Sequence, residues 1–337
     1  MFVGWLVGKA SQAEIDGTAT GRSFRRRIAW CWDIIPSLPV TGEVFDEVQL
    51  DGFNLRTGWC LLVASVNARP VAFQWAGSEN QAAWGALLAR IPAPTVVVSD
   101  GGSGLNAALQ QRWPDTRIQR CLVHVQRNVR RYVTTRAKTP AGRALWGLAL
   151  KLTKVKDIPE MNTWLLLLSQ WEAEFLSLTK QRTYARDGVI RPSWARPNQK
   201  WWFTHQRLRS GHQVLSRLVK ANHLFTFVDP ALDGLEIAST TNQIEGGINS
   251  PMRNLLKRHR GLTEHHQKRA LEWWLYTRCD ATGTPSATLD ARHDARPDDP
   301  VNVENNDNEE LDSPALYGTT LTAEEGLWHR SGWAGRA

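Results

Sequence analysis

The chain has 337 residues, 41 Lys and Arg against 33 Asp and Glu, and 17 tryptophans, which is enough to bury a sizeable core and suggests roughly two domains rather than a minimal binding module. The charge is unevenly placed: the segment from Asp280 to the end holds 12 acids and 4 bases, and residues 1–279 hold 37 bases against 21 acids, so a basic body points to a polyanionic partner. Four dispersed cysteines, Cys31, Cys60, Cys121 and Cys279, form no Cys-x-x-Cys pair and so exclude a disulfide scaffold or a zinc ribbon. The opening "MFVGWLV" is too short for a membrane span and lacks a basic flank, so a cytoplasmic protein without a membrane partner is expected.

Taken in chain order, "ASQAEIDGTATGRSFRRRIAWCW" reads as a short helix, a Gly/Thr break and a second helix headed by Arg22, Arg25, Arg26 and Arg27. That is the grammar of a helix-turn-helix offering its second helix to a DNA groove; the alternative is a basic helix that caps the core. From Gly42, "EVFDEVQLDGFNL", "GWCLLVASVN" and "RPVAFQWAG" are three closely connected β-runs, which predicts an antiparallel meander. "SENQAAWGALLARI" is a helix with Ser78 as its N-cap. "TVVVSD" is a buried strand ending in an acid, "GSGLNAALQQRW" a helix, "TRIQRCLVH" a fifth strand, and "VQRNVRRYVTTRA" a basic helix. The order βββαβαβ predicts a mixed five-stranded sheet with helices on its faces.

Between Asp100 and Glu245 lies far more chain than a crossover needs. "RALWGLALKL", "MNTWLLLLSQWEAEFLSL" and "QRLRSGHQVLSRLVKANHLF" have helical spacing, so an all-α insertion over residues 139–234 is expected, interrupted by "DGVIRPSWARPNQKWWF", where Pro192 and Pro197 force extended backbone. Residues 235–279 return to a basic helix with a break at Gly261, and the acidic segment 280–337 reads as disordered. The expected divisions are therefore 1–41, 42–138, 139–234, 235–279 and 280–337.

Three acids stand out chemically. Asp51 lies in the first strand before Gly52, Asp100 ends the fourth, and Glu245 sits between "STTNQ" and a Gly-Gly pair. Alone, each has an ordinary reading as a turn former, a cap or a first-turn helical acid. If the first and fourth strands are neighbours, however, two carboxylates emerge close together, and a hard divalent cation relieves their repulsion. A pair of such ions, spaced about 3.5 to 4 Å, can activate one oxygen and stabilise another in phosphodiester chemistry.

Asp51 in "DG", "VVSDGGSGL" around Asp100, "RCLVHVQRN" with Cys121 and His124, and "STTNQIEGGIN" around Glu245 together resemble the catalytic core of bacterial insertion-sequence transposases of the Mutator-like group, over roughly residues 42–279. The resemblance implies an RNase H-like domain with a DDE triad and a helical insertion ahead of the Glu. It implies that Asp51, Asp100 and Glu245 bind two Mg²⁺ ions, with Mn²⁺ as a substitute, and that Cys121 and His124 lie beside the scissile phosphate. The implied reaction is hydrolytic nicking at element ends followed by attack of the freed 3′ hydroxyl on target DNA, by a homo-oligomer on double-stranded DNA. A nuclease or recombinase without strand transfer, and a non-catalytic domesticated DNA-binding protein, are the rival readings. Phosphate contacts are expected from Arg25, Arg26, Arg27, Arg127, Arg130, Arg131, Arg253, Lys257, Arg258, His259 and Arg260, and base stacking from Trp194, Trp201 or Trp202. A zinc site built from Cys121, His124, His212 and His223 matches none of the usual spacings. Relatives usually carry a longer N-terminal region, so a truncated DNA reader is expected.

Overall fold

The computed structural model describes residues 1–17 and 21–279; the expectation of disorder for 280–337 lies outside the described residues. Two compact units are present. The first comprises 1–95, 102–116 and the chain from Thr241, and the second comprises 96–101 and 117–240.

The first unit opens with three short helices, α1 (Phe2–Val7), α2 (Gln12–Asp16) and α3 (Arg22–Ile28). Ser11 caps α2 with a reciprocal Ser11–Glu14 pair, and Gly17 follows in the left-handed conformation that ends a helix cheaply. The helix α3 presents its arginines outward while Phe24 and Ile28 are buried. Together with Phe2, Trp5 and Trp32, these two residues enter the same core as Ile248, Leu271 and Trp273. The N-terminal basic helix thus packs its apolar face on the unit's own core and keeps its arginines at the surface, a placement that fits both readings given above for this segment.

The meander follows: β1 (Glu47–Asn54), β2 (Cys60–Val66) and β3 (Arg69–Ala76). Its register pairs Asp51 with Val63 and Gly52 with Leu62, and β2 pairs antiparallel with β3. Asn67 and Ala68 close the β2–β3 hairpin with φ of 49° and 60°, the left-handed pair that a two-residue hairpin turn requires. Next comes α4 (Gln81–Leu88), capped by the side chain of Asn80 on the Ala83 N–H rather than by Ser78. Asn80 occupies the position that reaches the free N–H groups of the first turn, and Ser78 lies two residues too early.

The strand β4 (Val96–Ser99), in the second unit, is wholly buried, as expected for an apolar run with no solvent face. The helix α5 (Ser103–Arg112) returns to the first unit, and β5 (Arg117–Arg120) pairs parallel with β4. The five strands form a mixed sheet in the order β3-β2-β1-β4-β5.

In the second unit, α6 (Leu122–Val133), α7 (Pro140–Leu152), α8 (Ile158–Lys180) and α9 (Gln206–Lys220) form the helical body. Thr139 and Asp157 cap α7 and α8, each followed by Pro in the first turn. Val125, Val129, Leu145, Leu152, Trp164 and Leu215 make its core. Trp164 and Trp171 donate their indole N–H groups to the Leu148 and Ala141 carbonyls, which satisfies the polar end of two buried aromatics. The Pro-containing interruption is a two-stranded hairpin, β6 (Arg182–Tyr184) with β7 (Trp201–Phe203), so the insertion is not all helix. Both strands are three residues long, below the length at which alternation can be recognised.

The chain finishes in the first unit with α10 (Asn242–Ile244), a π-helical turn (Glu245–Asn249), α11 (Ser250–Arg258) and α12 (Glu264–Tyr276). The break at 259–263 includes Gly261. No helix among the described residues is long and apolar enough to cross a membrane.

Candidate active site

In the first unit, β1 is tied at three points to the helical segment made of α10 and the π-helical turn. Gln49 is buried; its side-chain carbonyl accepts from the Ile244 N–H at 3.3 Å, and its amide donates to Gln243 at 3.4 Å. Two residues along the strand, on the same face by strand alternation, Asp51 accepts from the Asn249 side-chain amide at 2.7 Å through one carboxylate oxygen and from the Gly52 N–H at 2.9 Å through the other. Glu245 lies between these anchors, two residues beyond Gln243 and four before Asn249. A π-helical turn contains about 4.4 residues, so Glu245 and Asn249 share one face, and π-turns inside α-helices recur at functional sites. Glu245 is half-buried. Asp51 and Glu245 are therefore brought to one end of one unit.

Glycine allows the close approach on this face. A Cβ on Gly247 would fall 2.6 Å from the Cβ of Ala68 in the β2–β3 turn, so only Gly lets the π-turn pack on the hairpin tip. A Cβ on Gly52 would fall 2.4 Å from the Glu79 carboxylate. Glu79 accepts from the Asn54 side chain at 3.3 Å and from the Cys60 thiol at 3.6 Å. Burial, followed by the charges of Glu79 and Asp51, pushes the Cys60 thiol well above the ordinary range.

Asn249 and Glu79 were not singled out in the sequence. Asn249 had one available signal, its spacing of four from Glu245 in "EGGIN". Glu79 had none beyond the glycine after Asp51, which makes room for it. Asn249 is 1% exposed, and its side-chain oxygen has no partner.

In the second unit, Asp100 follows β4 and precedes Gly101, whose φ is 80°. Arg120, at the end of β5, donates to the carbonyls of both Asp100 and Gly101. A Cβ on Gly101 would overlap the Arg120 guanidinium, so both its torsion and its contact require glycine. Arg120 thus fixes the backbone that carries Asp100. Cys121 follows directly. It is fully buried, its N–H donates to the Ser99 carbonyl at 2.8 Å, and it is the N-cap residue of α6 rather than part of the fifth strand. His124 stands in the first turn, with Arg127 at 3.4 Å from its Nε2. His212 pairs instead with Glu172 at 2.6 Å and stacks on Trp171. Burial, followed by the Arg120 charge, lowers the pKa of His223.

The basic candidates divide by what they touch. Arg25 donates to Gln12 and Arg27 pairs with Asp16, which lock α3 to α2. Arg258 donates to the Val7 and Gly8 carbonyls, and burial lowers the pKa of His259, whose Nε2 meets the Leu6 carbonyl at 2.9 Å. Arg253 lies over the Phe53 ring at 5.8 Å, and Arg260 bonds back to the Lys257 carbonyl. Arg26 and Lys257 are exposed, while Arg130 and Arg131 are half-exposed on α6.

A metal is implied by the family resemblance, and the donor set fits a hard cation in kind. Asp51 and Glu245 share a face with the unpartnered side-chain oxygen of Asn249, and all offer oxygen only. Among the described residues, no group of three or more His, Cys, Asp or Glu is arranged to hold an ion.

These features belong to a chain whose residues 69–147 match the family described as "Transposase, Mutator family". The match runs from β3 into α7 and includes Asp100, Cys121 and His124, while Asp51 and Glu245 lie outside it. The chain is similar to the transposase for insertion sequence element IS905 of Lactococcus lactis subsp. lactis (strain IL1403), with 36% identity over 64 residues. That stretch is 18% of this chain and spans 16% of the relative's length. The resemblance to Mutator-like insertion-sequence transposases, drawn above from four motifs, thus has independent support over this segment.

Proposed function

We propose that the chain is a DDE-type DNA transposase of RNase H-like fold, acting on the ends of an insertion sequence and joining them to target DNA. The supporting observation is the attachment of the Glu245-bearing turn to the Asp51 strand through Asn249, in a chain that is similar to transposases around Asp100.

In this reading Asp51, Asp100 and Glu245 hold two Mg²⁺ ions, for which Mn²⁺ substitutes. Such ions supply Lewis-acid activation of the attacking oxygen and neutralise charge on the leaving one. Asn249 fixes one Asp51 oxygen by donating to it. Arg120 and Gly101 set the backbone that presents Asp100. His124 would donate a proton or hydrogen bond to a phosphate oxygen, and the arginines of α6 with Arg253 of α11 would hold the DNA backbone. No covalent intermediate with the protein is needed; positioning and charge neutralisation supply the catalysis. DNA ends are paired by a homo-oligomer.

The test is an in vitro assay on end-containing duplexes with Mg²⁺, with Mn²⁺ and with EDTA. The wild-type chain is expected to nick and join only with metal, and Asp51→Asn, Asp100→Ala and Glu245→Gln each to abolish both steps while retaining DNA binding. Cleavage that survives any of the three substitutions rejects the triad. Nicking without joined products reduces the protein to a nuclease.

A further inference from the structure

In the second unit, an open pocket of about 490 Å³ lies between the C-terminal end of α6 and the segment leading into α9. Its lining includes Tyr132, Arg136, Lys138, Trp194, Trp202 and His205 and contains no acid. The volume suits a ring-sized ligand. We propose that this pocket takes an unstacked nucleotide of a DNA strand, with its base against Trp194 and its phosphates on Arg136 and Lys138.

The surroundings of the three tryptophans expected to stack on bases separate them. Trp202 is 4% exposed, and Trp201 is covered by the Arg182 guanidinium at 4.1 Å. Trp194 is 54% exposed at the pocket. Of the three, Trp194 alone therefore offers an open ring face at the pocket on which a base can stack. The loop that carries it is clamped: Arg191 donates to the Arg196 and Gln199 carbonyls at 2.7 and 2.8 Å, and the Ala195 N–H bonds to Pro192. Little ordering cost therefore remains for a base that stacks on it.

Charge identifies the occupant. From Lys180 to Arg209 the chain holds eight Lys and Arg and one acid, Asp187. Arg136 and Lys138 are exposed after the turn at Thr134, where φ is 63°. Arg207 does not add to the phosphate contacts, because it donates to the Tyr132 and Arg131 carbonyls and ties α9 to the end of α6. An exposed ring flanked by cations is the combination that binds single-stranded nucleic acid, in which each base offers a face and each linkage a negative charge. An apolar protein partner would leave these cations buried and unpaired.

The inference rests on the reading of the chain as a protein that acts on DNA, but its test needs no chemistry. The full chain, in EDTA, is titrated into a duplex interrupted by a short thymine gap containing 2-aminopurine, and into the same duplex with an abasic gap. The wild-type chain is expected to bind the thymine gap about tenfold more tightly than the abasic one and to quench the 2-aminopurine. Trp194→Ala should remove both effects, and Trp194→Phe should keep most of the preference. Arg136→Ala and Lys138→Ala should weaken both duplexes and flatten the salt dependence. Equal affinity for the two gaps, or a Trp194→Ala variant that behaves as wild type, overturns the proposal. A chain that prefers the thymine gap through Trp194 but joins no strands leaves this pocket standing while the transposase reading falls.

Discussion

Asn249 donates its side-chain amide to Asp51 at 2.7 Å across 198 positions of sequence, and this bond connects the strand carrying the first proposed acid to the turn carrying the last. A hydrogen bond to a charged group is worth about 1.5 to 3 kcal/mol. Asn249→Ala is accordingly expected to lower unfolding stability by about that amount and single-turnover cleavage by at least tenfold, with DNA affinity unchanged. Urea melts and a single-turnover assay measure the two. A variant with full cleavage would show that Asp51 needs no such support.

The tip of the β2–β3 hairpin governs the same turn. Ala68 holds a left-handed φ of 60°, and its Cβ would lie 2.6 Å from one added to Gly247. A non-glycine residue in this conformation costs about 1 kcal/mol, so Ala68→Gly should raise the melting temperature slightly despite its looser unfolded chain. Gly247→Ala should destabilise the protein and reduce cleavage by pushing the Glu245 turn off the hairpin. The double variant should recover most of both losses, because the clashing methyl is gone. Additive losses in the thermodynamic cycle would show that the two sites do not touch.

The architecture was legible where patterns were long. The meander and the amphipathic helices follow from alternation or helical spacing over many residues, and the buried strand before Asp100 from a short continuous apolar run. The β6–β7 hairpin was not, since its strands are short and lie among prolines and tryptophans. A sequence lists charges without their partners, so the bonds of Arg25 to Gln12 and of Arg27 to Asp16 were not legible in it. Glu245 stood out by its neighbours, whereas Asn249 matters through a bond to a residue 198 positions away, which no local pattern encodes. The π-helical turn was equally hidden, because the one-residue shift in apolar phase that it causes falls in a segment of only five residues, too short to establish a phase.

Thiol reactivity should follow burial. Cys31, Cys60 and Cys121 are buried, and burial raises the Cys31 thiol to about 11. Cys279 is half-exposed, with its thiol on the Tyr276 carbonyl. Only thiolates react readily, so a thiol reagent at neutral pH should modify Cys279 quickly and the other three only after denaturation. Cys279→Ser should remove the fast phase. A second fast thiol in the native protein would contradict the burial of Cys31, Cys60 or Cys121.

The last prediction concerns Glu272, a carboxylate only 5% exposed that accepts from the Trp75 indole at 2.8 Å and pairs with Arg269. Burial raises its pKa, and the Arg269 charge and the hydrogen bonds from Trp75 and Arg269 only partly oppose the rise. A raised folded-state value means that folding favours the protonated form. The stability it contributes is complete below the ordinary glutamate range, about 4.3, and is lost as pH rises through the folded value. Glu272→Gln cannot titrate, so it should match the wild-type chain in acid and become the more stable of the two as pH approaches neutrality. Simple counting of ion pairs predicts the opposite, a loss at neutral pH from breaking a buried pair. Paired urea melts at mildly acidic and neutral pH decide between them: a stability difference that moves against Glu272→Gln as pH rises would mean that the Arg269 charge outweighs burial at this site.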